Sequence, residues 1–353
     1  MLSNADVHQV LTVEACLDAL ETAFRDFADG GAVNRPRSHT YTDLGGGHQY
    51  LFKSMDGSIA RFGVHGIRLS SDHIRELSVG GKRRREKLPL APGERYVGLI
   101  MLFDIATLQP LVIMQDGSLQ RLRVGSTSGL AARYLARQDA SVVGLIGSGW
   151  QAGAQLLALQ KVRTLTEIRA YSTNPERLRA FCAEHSQRLG QDVRPVRSAR
   201  EAVEGVDILA CATNSQDPVF DGAWLEPGQH VGSVQGHELD WTTLRRADVI
   251  GVRSKEEATF HFAPGHAPVE AAEQKQPPEA IRGKMAELGD IVAGRAGRAA
   301  SDQVTLFTGG GSGGSSGLGI QFTAVGYAVY RAARDAGLGR EVPTDWFLEN
   351  EKP

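Results

Sequence analysis

The sequence predicts an α/β protein in which an α+β unit precedes a parallel-sheet unit. Three observations carry that reading. The apolar run Ser141-Val-Val-Gly-Leu-Ile-Gly-Ser-Gly-Trp-Gln-Ala-Gly153 ends in glycines and passes directly into a helical pattern. Strand and helix patterns then alternate as far as residue 252, which implies parallel strands joined by right-handed crossovers. Before residue 115 the pattern is instead one helix followed by short strands between Gly, Asp and Pro turns.

The glycine run sets the chemistry. Gly147, Gly149 and Ala152, with Ser148, Trp150 and Gln151 between them, form Gly-x-Gly-x-x-Ala. In that pattern the first glycine allows a sharp turn, the second lets backbone approach a pyrophosphate, and the third small residue keeps helix and strand close. The phosphates would lie on the free N–H groups and positive dipole end of the helix that follows. A glycine-rich turn that binds nothing is the bland alternative; the second strand expected of a dinucleotide site, at 167–171, weighs against it. Beyond that strand, where an NAD site places a carboxylate for the ribose hydroxyls, stand Ser172, Thr173 and Asn174, with Arg177 a turn later. That set suits a 2′-phosphate, so NADP(H) is favoured and NAD(H) remains compatible.

The remaining elements follow in order. Apolar residues at 15, 17, 20, 23, 24 and 27 predict a helix over 13–27, with Thr12 as its cap and Gly30-Gly31 as its stop. Strands are expected at 38–41, 49–53, 64–69, 96–104 and 111–115, and a helix at 126–136 leads into the glycine run. After it come helix 175–189, strand 192–196, helix 199–203 and strands 207–212, 230–234 and 248–252. Loops at the strand ends, Thr213-Asn214-Ser215 and the one beginning at Ser233, are then expected beside the cofactor. Prolines mark 262–278 as a loop, and His261, His266 and Glu270 within or beside it read as exposed polar residues rather than metal ligands. The glycines of 309–317 precede a patterned helix over 318–336, so they are expected to pack or approach a ligand rather than act as a linker.

Composition narrows the class. With 353 residues, 41% hydrophobic, the chain is long enough for two cores, and a net charge of -2 gives no reason to expect nucleic acid or an anionic membrane as partner. The run Lys82-Arg-Arg-Arg85 reads as a solvated loop. Three scattered cysteines form no disulfide framework and suit a reducing cytoplasm, and no apolar run is long enough to span a bilayer.

In combination, Thr107-Leu-Gln-Pro-Leu111, Leu119-Gln-Arg-Leu-Arg-Val-Gly-Ser-Thr-Ser128, the Gly147 fingerprint, Cys211-Ala-Thr-Asn-Ser215 and Trp224-Leu-Glu-Pro-Gly-Gln-His-Val231 make the chain resemble the ornithine cyclodeaminase/mu-crystallin family over nearly its whole length. The resemblance implies a homodimer paired through the first domain, a Rossmann domain, and a C-terminal helix returning to the first domain. The expected domains are 1–125, 126–305 and 306–353. It also implies NAD(P)-linked chemistry at the α-carbon of an amino or imino acid, and it places the substrate-carboxylate arginines at Arg37 and Arg123. A guanidinium fork binds a carboxylate bidentately and stays charged at any working pH.

Two departures bear on mechanism. The family's lysine is replaced by Arg68, and the aspartate of its cyclodeaminases is missing from the shorter loop Val231-Gly-Ser-Val-Gln-Gly-His-Glu-Leu239. Arg68 becomes a third carboxylate fork, while the proton must come from another group: His237 or Glu238 in the loop, Lys53 or His65 in the first domain. The expected function is an imine or ketimine reductase or amino-acid dehydrogenase. An ammonia lyase of the cyclodeaminase type using bound NAD+, and a binding protein like mu-crystallin that needs NADPH but turns nothing over, are the alternatives.

Overall fold

The computed structural model describes residues 1–79, 82–255, 259–264, 269–270, 278–309 and 317–350. The chain opens with α1 (Asn4–Val10) and α2 (Val13–Ala28), the latter capped by Thr12, whose Oγ1 accepts from Ala15 N at 3.1 Å. Strands β1 (Ala32–Asn34), β2 (Arg37–Gly45), β3 (His48–Ile59), β4 (Val64–Val79), β5 (Lys82–Leu88), β6 (Val97–Asp104) and β7 (Pro110–Gln115) follow, then α3 (Gly117–Leu135). Next come β8 (Val142–Ile146), α4 (Trp150–Val162), β9 (Glu167–Tyr171), α5 (Pro175–Leu189), β10 (Val193–Pro195), α6 (Ala199–Val203) and β11 (Ile208–Cys211). After them lie β12 (His230–Ser233), α7 (Trp241–Arg246), β13 (Val249–Val252), β14 (Thr259–Phe262) and β15 (Val269–Glu270). The chain closes with α8 (Glu279–Arg282), β16 (Met285–Glu287), α9 (Leu288–Val292), β17 (Thr305–Phe307) and α10 (Gly319–Asp335).

The chain divides into two compact units, Met1–Arg123 with Ala258–Ala271 and Leu318–Pro353, and Val124–Glu257 with Ala272–Gly317. The first is built on a sheet of order β15-β14-β2-β3-β4-β6-β7, with β1 added to β3 and β5 to β4. One face packs on α10, where Thr323 Oγ1 donates to Gly57 O at 2.9 Å, and buries Leu51, Met55, Ile59, Val64, Ile100 and Leu102. The second unit holds eight strands in the order β10-β9-β8-β11-β12-β17-β13-β16, every pairing parallel. From β10 to β12 this is the strand order of a Rossmann sheet, whose switch point falls between β8 and β11.

The structure departs from the sequence reading in several places. Helix α3 begins at Gly117 rather than 126, and continues through Gly125 and Gly129 because these lie against Ala154 and Ala158 of α4, where a Cβ would come within 2.3 and 2.8 Å. The basic run at 82–85 belongs to β5, paired antiparallel with β4, since ladder pairing rather than polarity decides whether an exposed edge forms a strand. Residues 259–262, on the border of the expected loop, are β14 and pair with β2 in the first unit, with β15 beside them, although they were expected in the nucleotide-binding unit. His266 and most of the glycine run after Gly309 lie outside the described residues.

Candidate functional site

In the second unit, β8 delivers its C-terminal end into the glycine turn. Gly147 has φ +123° and donates its N–H to Tyr171 O at 2.8 Å; a Cβ there would sit 2.3 Å from Ala212 O. Both the backbone angle and the space therefore require glycine. Gly149 is the N-cap of α4 and offers no side chain to the first-turn N–H groups, and Ala152 is fully buried beneath them. Gln151 Oε1, on the same turn, is shielded from solvent without a hydrogen-bond partner. A helix start that no side chain caps, beside a position that excludes a side chain, fits a dinucleotide pyrophosphate.

At the end of β9, Ser148 Oγ donates to Ser172 Oγ at 3.0 Å, and no carboxylate stands there. Asn174 spends its Oδ1 on capping α5, accepting from Arg177 N at 2.9 Å. Thr173 and Arg177 are exposed, and Arg177 Nη2 lies 3.9 Å from where a Cβ on Gly149 would be.

Glu238, fully buried, ties together the loops after β11 and β12. Its Oε1 accepts from Thr213 N and Oγ1 at 2.6 and 2.8 Å, and its Oε2 from Ser233 Oγ at 3.0 Å and Gln235 N at 2.9 Å. The hydroxyls of Thr213 and Ser233 thus point inward to a carboxylate, which leaves backbone and the exposed Asn214 to meet a ligand; Ser215 Oγ donates to Asp217 O at 2.8 Å. With four hydrogen bonds accepted, Glu238 holds the loops in shape. His237, half-buried beside it, has Nε2 out of solvent and without a hydrogen bond.

In the first unit, strand register sorts the candidates by face. Lys53 pairs with Ser70 and His39, and Met55 with Arg68, so Arg37, His39, Lys53, Arg68, Ser70 and Asp72 share the face that carries α10. His65, one residue out of step, lies on the opposite face, with Nδ1 2.7 Å from Ser58 Oγ. It is removed as a proton donor for anything bound near Arg68.

Arg68, 8% exposed, contacts a single carboxylate oxygen of Asp116 through Nε at 2.8 Å and Nη2 at 2.7 Å. The register explains how Asp116 reaches it. Gly98 on β6 pairs with Ser70, and a Cβ at 98 would lie 2.1 Å from Asp116 Oδ1, so only glycine leaves room for that carboxylate. Arg68 is therefore compensated within the protein and is not the free third fork that its sequence position suggested. Arg123, 4% exposed on α3, donates to Gln120 Oε1 at 2.7 Å and to Gln321 Oε1 at 3.3 Å. Its guanidinium carbon lies 4.6 Å from the centre of the Phe322 ring, and that of Arg68 lies 5.2 Å from it. One aromatic ring fixes both cations.

Lys53 Nζ donates to Asp72 Oδ2 at 3.0 Å, and Lys87 Nζ to Oδ1 at 2.9 Å. Burial first, then the charge of Lys87, push the Lys53 ammonium down to about 8 against the pull of Asp72. Asp72, Asp116, Gln321 and Phe322 escaped the sequence reading. For Asp72 the only signal was its place in step with Arg68 and Ser70 on β4, which marks a site only after the buried face is known; Asp116, before α3, and Gln321 and Phe322, on α10, carry no local signal.

A family model described as "Ornithine cyclodeaminase/mu-crystallin family" matches residues 1–337. The chain is 28% identical over 349 residues to an alanine dehydrogenase of Archaeoglobus fulgidus, covering 97% of each. It is similar to the structure of Thermococcus litoralis Delta(1)-pyrroline-2-carboxylate reductase in complex with NADH and L-proline, with TM-score 0.77, 29% identity and coverage of 97% of this chain and 100% of that one. An archaeal alanine dehydrogenase dimer with bound NAD superposes with TM-score 0.74 at 25% identity, over 97% and 98% of the two chains.

Proposed function

The chain belongs to the ornithine cyclodeaminase/mu-crystallin family, and from that premise we propose that it is an NAD(P)H-dependent oxidoreductase acting at the α-carbon of an imino or amino acid. The observation that carries the reading is Arg123, a buried guanidinium aimed by two amide oxygens and an aromatic face, the arrangement expected of a carboxylate fork. Arg37, on the sheet face of Arg68, is its second member, and Arg68, paired with Asp116, adds no free cation to them. When bound, the nicotinamide supplies or accepts a hydride; the protein supplies orientation and an anion site. Alanine dehydrogenase and pyrroline-2-carboxylate reductase, the names of the relatives, share this chemistry. A cyclodeaminase is disfavoured because Arg68, locked on Asp116, cannot exchange a proton near neutrality.

The test is a fluorescence titration with NADPH and NADH, then a spectrophotometric assay against keto acids with ammonia or methylamine, and against cyclic imines. Cofactor oxidation is expected. Conversion of ornithine or lysine without net change in nicotinamide absorbance would establish the cyclodeaminase instead, and tight NADPH binding with no turnover would establish a binding protein.

The cofactor reading is NADP(H), supported by Ser172 at the end of β9 and by Arg177 beside the glycine turn. Arg177→Ala is expected to cut the preference for NADPH over NADH about tenfold or more, since a hydrogen bond to a charged group contributes roughly 1.5–3 kcal/mol. A wild-type protein that binds NADH more tightly sinks this part.

The partner reading is a homodimer. The sheet face turned away from α10 carries Phe52, Ile67, Leu69, Val97, Leu99, Met101 and Ile113, none of them fully buried, with Leu99 37% exposed. An apolar patch of this kind suits a second copy of the same patch. Leu99→Asp is expected to give a monomer by light scattering, and an unchanged mass would place the interface elsewhere. The three cysteines are free and buried, which supports a reducing cytoplasm, and among the described residues no helix is long and apolar enough to cross a membrane.

A further inference from the structure

Reduction of a C=N bond needs a proton at nitrogen as well as two electrons at carbon. Arg68, standing where the resemblance expects lysine, keeps its proton at any working pH. Resting on the oxidoreductase reading, we propose that Lys53 is the catalytic acid, its Nζ passing a proton to the substrate nitrogen in reduction and taking it back in oxidation.

Register places Lys53 on the face that holds Arg68 and Arg37, two positions along β3 from the partner of Arg68. The side chain is 17% exposed, so it stays reachable while most of its stem is buried. Among the described residues it spends one of its three N–H donors, on Asp72. Asp72 is itself fixed from three sides, by Lys53, by Lys87 and by Ser70 Oγ at 3.1 Å, so it orients the ammonium while sharing its charge with a second lysine. Arg37, His39, Tyr41 and Asp43 on β2 and Arg68 on β4 lie on this face of the neighbouring strands. On the helices packed against β3, α10 carries no charged residue before Arg331, and Asp26 of α2 is bound to Arg61 at 2.8 Å.

The alternatives are weaker on geometry. His65 points away through the sheet, and Glu238 accepts four hydrogen bonds in the other unit. The charge balance is simple. Hydride forms the new C–H bond, the C=N π pair moves to nitrogen, and that nitrogen takes a proton from Lys53. The pair of the broken Nζ–H bond stays on Nζ, which water reprotonates. Burial and the neighbouring cations, which bring this ammonium to about 8, make it a better acid than an ordinary lysine.

The experiment compares wild type, Lys53→Met, Lys53→Arg, Lys53→Ala and His237→Asn across pH, with thermal melting as the folding control. For imine reduction by wild type, kcat is expected to fall as pH rises through about 8, where the acid loses its proton, and amine oxidation is expected to rise over the same range. Lys53→Met should lose about 10²–10⁴-fold in kcat with cofactor affinity unchanged. Lys53→Arg should not restore it, and small primary amines should rescue Lys53→Ala. In NMR of isotope-labelled dimethyl-lysine protein, one resonance should titrate near 8 and vanish in Lys53→Met. Retention of the alkaline limb in Lys53→Met, or its loss in His237→Asn alone, overturns the assignment. A wild-type protein that turns over none of the substrates overturns the oxidoreductase reading, and this assignment with it.

Discussion

Arg123→Ala is expected to lower kcat/KM for the imino-acid substrate by about two to three powers of ten while leaving NADPH affinity within about twofold. The magnitude follows from what the variant removes. Truncating one partner of a buried, hydrogen-bonded charge pair costs roughly 2–5 kcal/mol, and each 1.4 kcal/mol is a factor of ten. The site is built for one fork: Gln120 and Gln321 hold the guanidinium from the side, and Phe322 lies under its plane. Arg123→Lys is expected to recover little, because a lysine keeps the charge but cannot match the planar geometry. Steady-state kinetics beside a cofactor titration make the check. If both variants keep near-wild-type kcat/KM, the carboxylate binds elsewhere and Arg123 is a structural cation between α3 and α10.

Gly147→Ala is expected to abolish measurable cofactor binding and to destabilise the fold by about 2–4 kcal/mol. Two costs combine. A residue with a side chain at φ +123° is strained by about 1–3 kcal/mol, and its Cβ would meet Ala212 O at 2.3 Å, so the turn between β8 and α4 must move away from the end of β11. That movement carries the N–H groups of the first turn of α4 out of the positions that fit phosphate. Chemical denaturation and a fluorescence titration separate the two effects. A variant that melts normally and binds NADPH normally would show that the turn is not where the phosphates lie.

The two predictions rest on different kinds of legibility. Gly147 was readable at once, because strand, turn and helix are contiguous and local sterics dictate which residue the turn accepts. The same holds for the cap at Thr12 and for the polar breaks between strands, so the sequence by itself determined the α/β class and the Rossmann unit with its glycine turn. It also named Arg37, Lys53, Arg68 and Arg123, through residue types and motif resemblance.

Tertiary structure decided what each of those residues can do. A strand has a period of two, so a face is known only once register is known, and register alone puts Lys53 with Arg68 and turns His65 away. Asp116 reaches Arg68 across 48 residues of chain, through the gap that Gly98 leaves on a neighbouring strand, and no local pattern encodes such a contact. The hidden start of α3 and the excursion of β14 to the edge of β2 have the same cause: both are fixed by what the segment packs or pairs against. Local sterics write the cradle into the sequence, whereas the charge and proton inventory around Arg68 and Lys53 exists only when distant strands bring their carboxylates to one face.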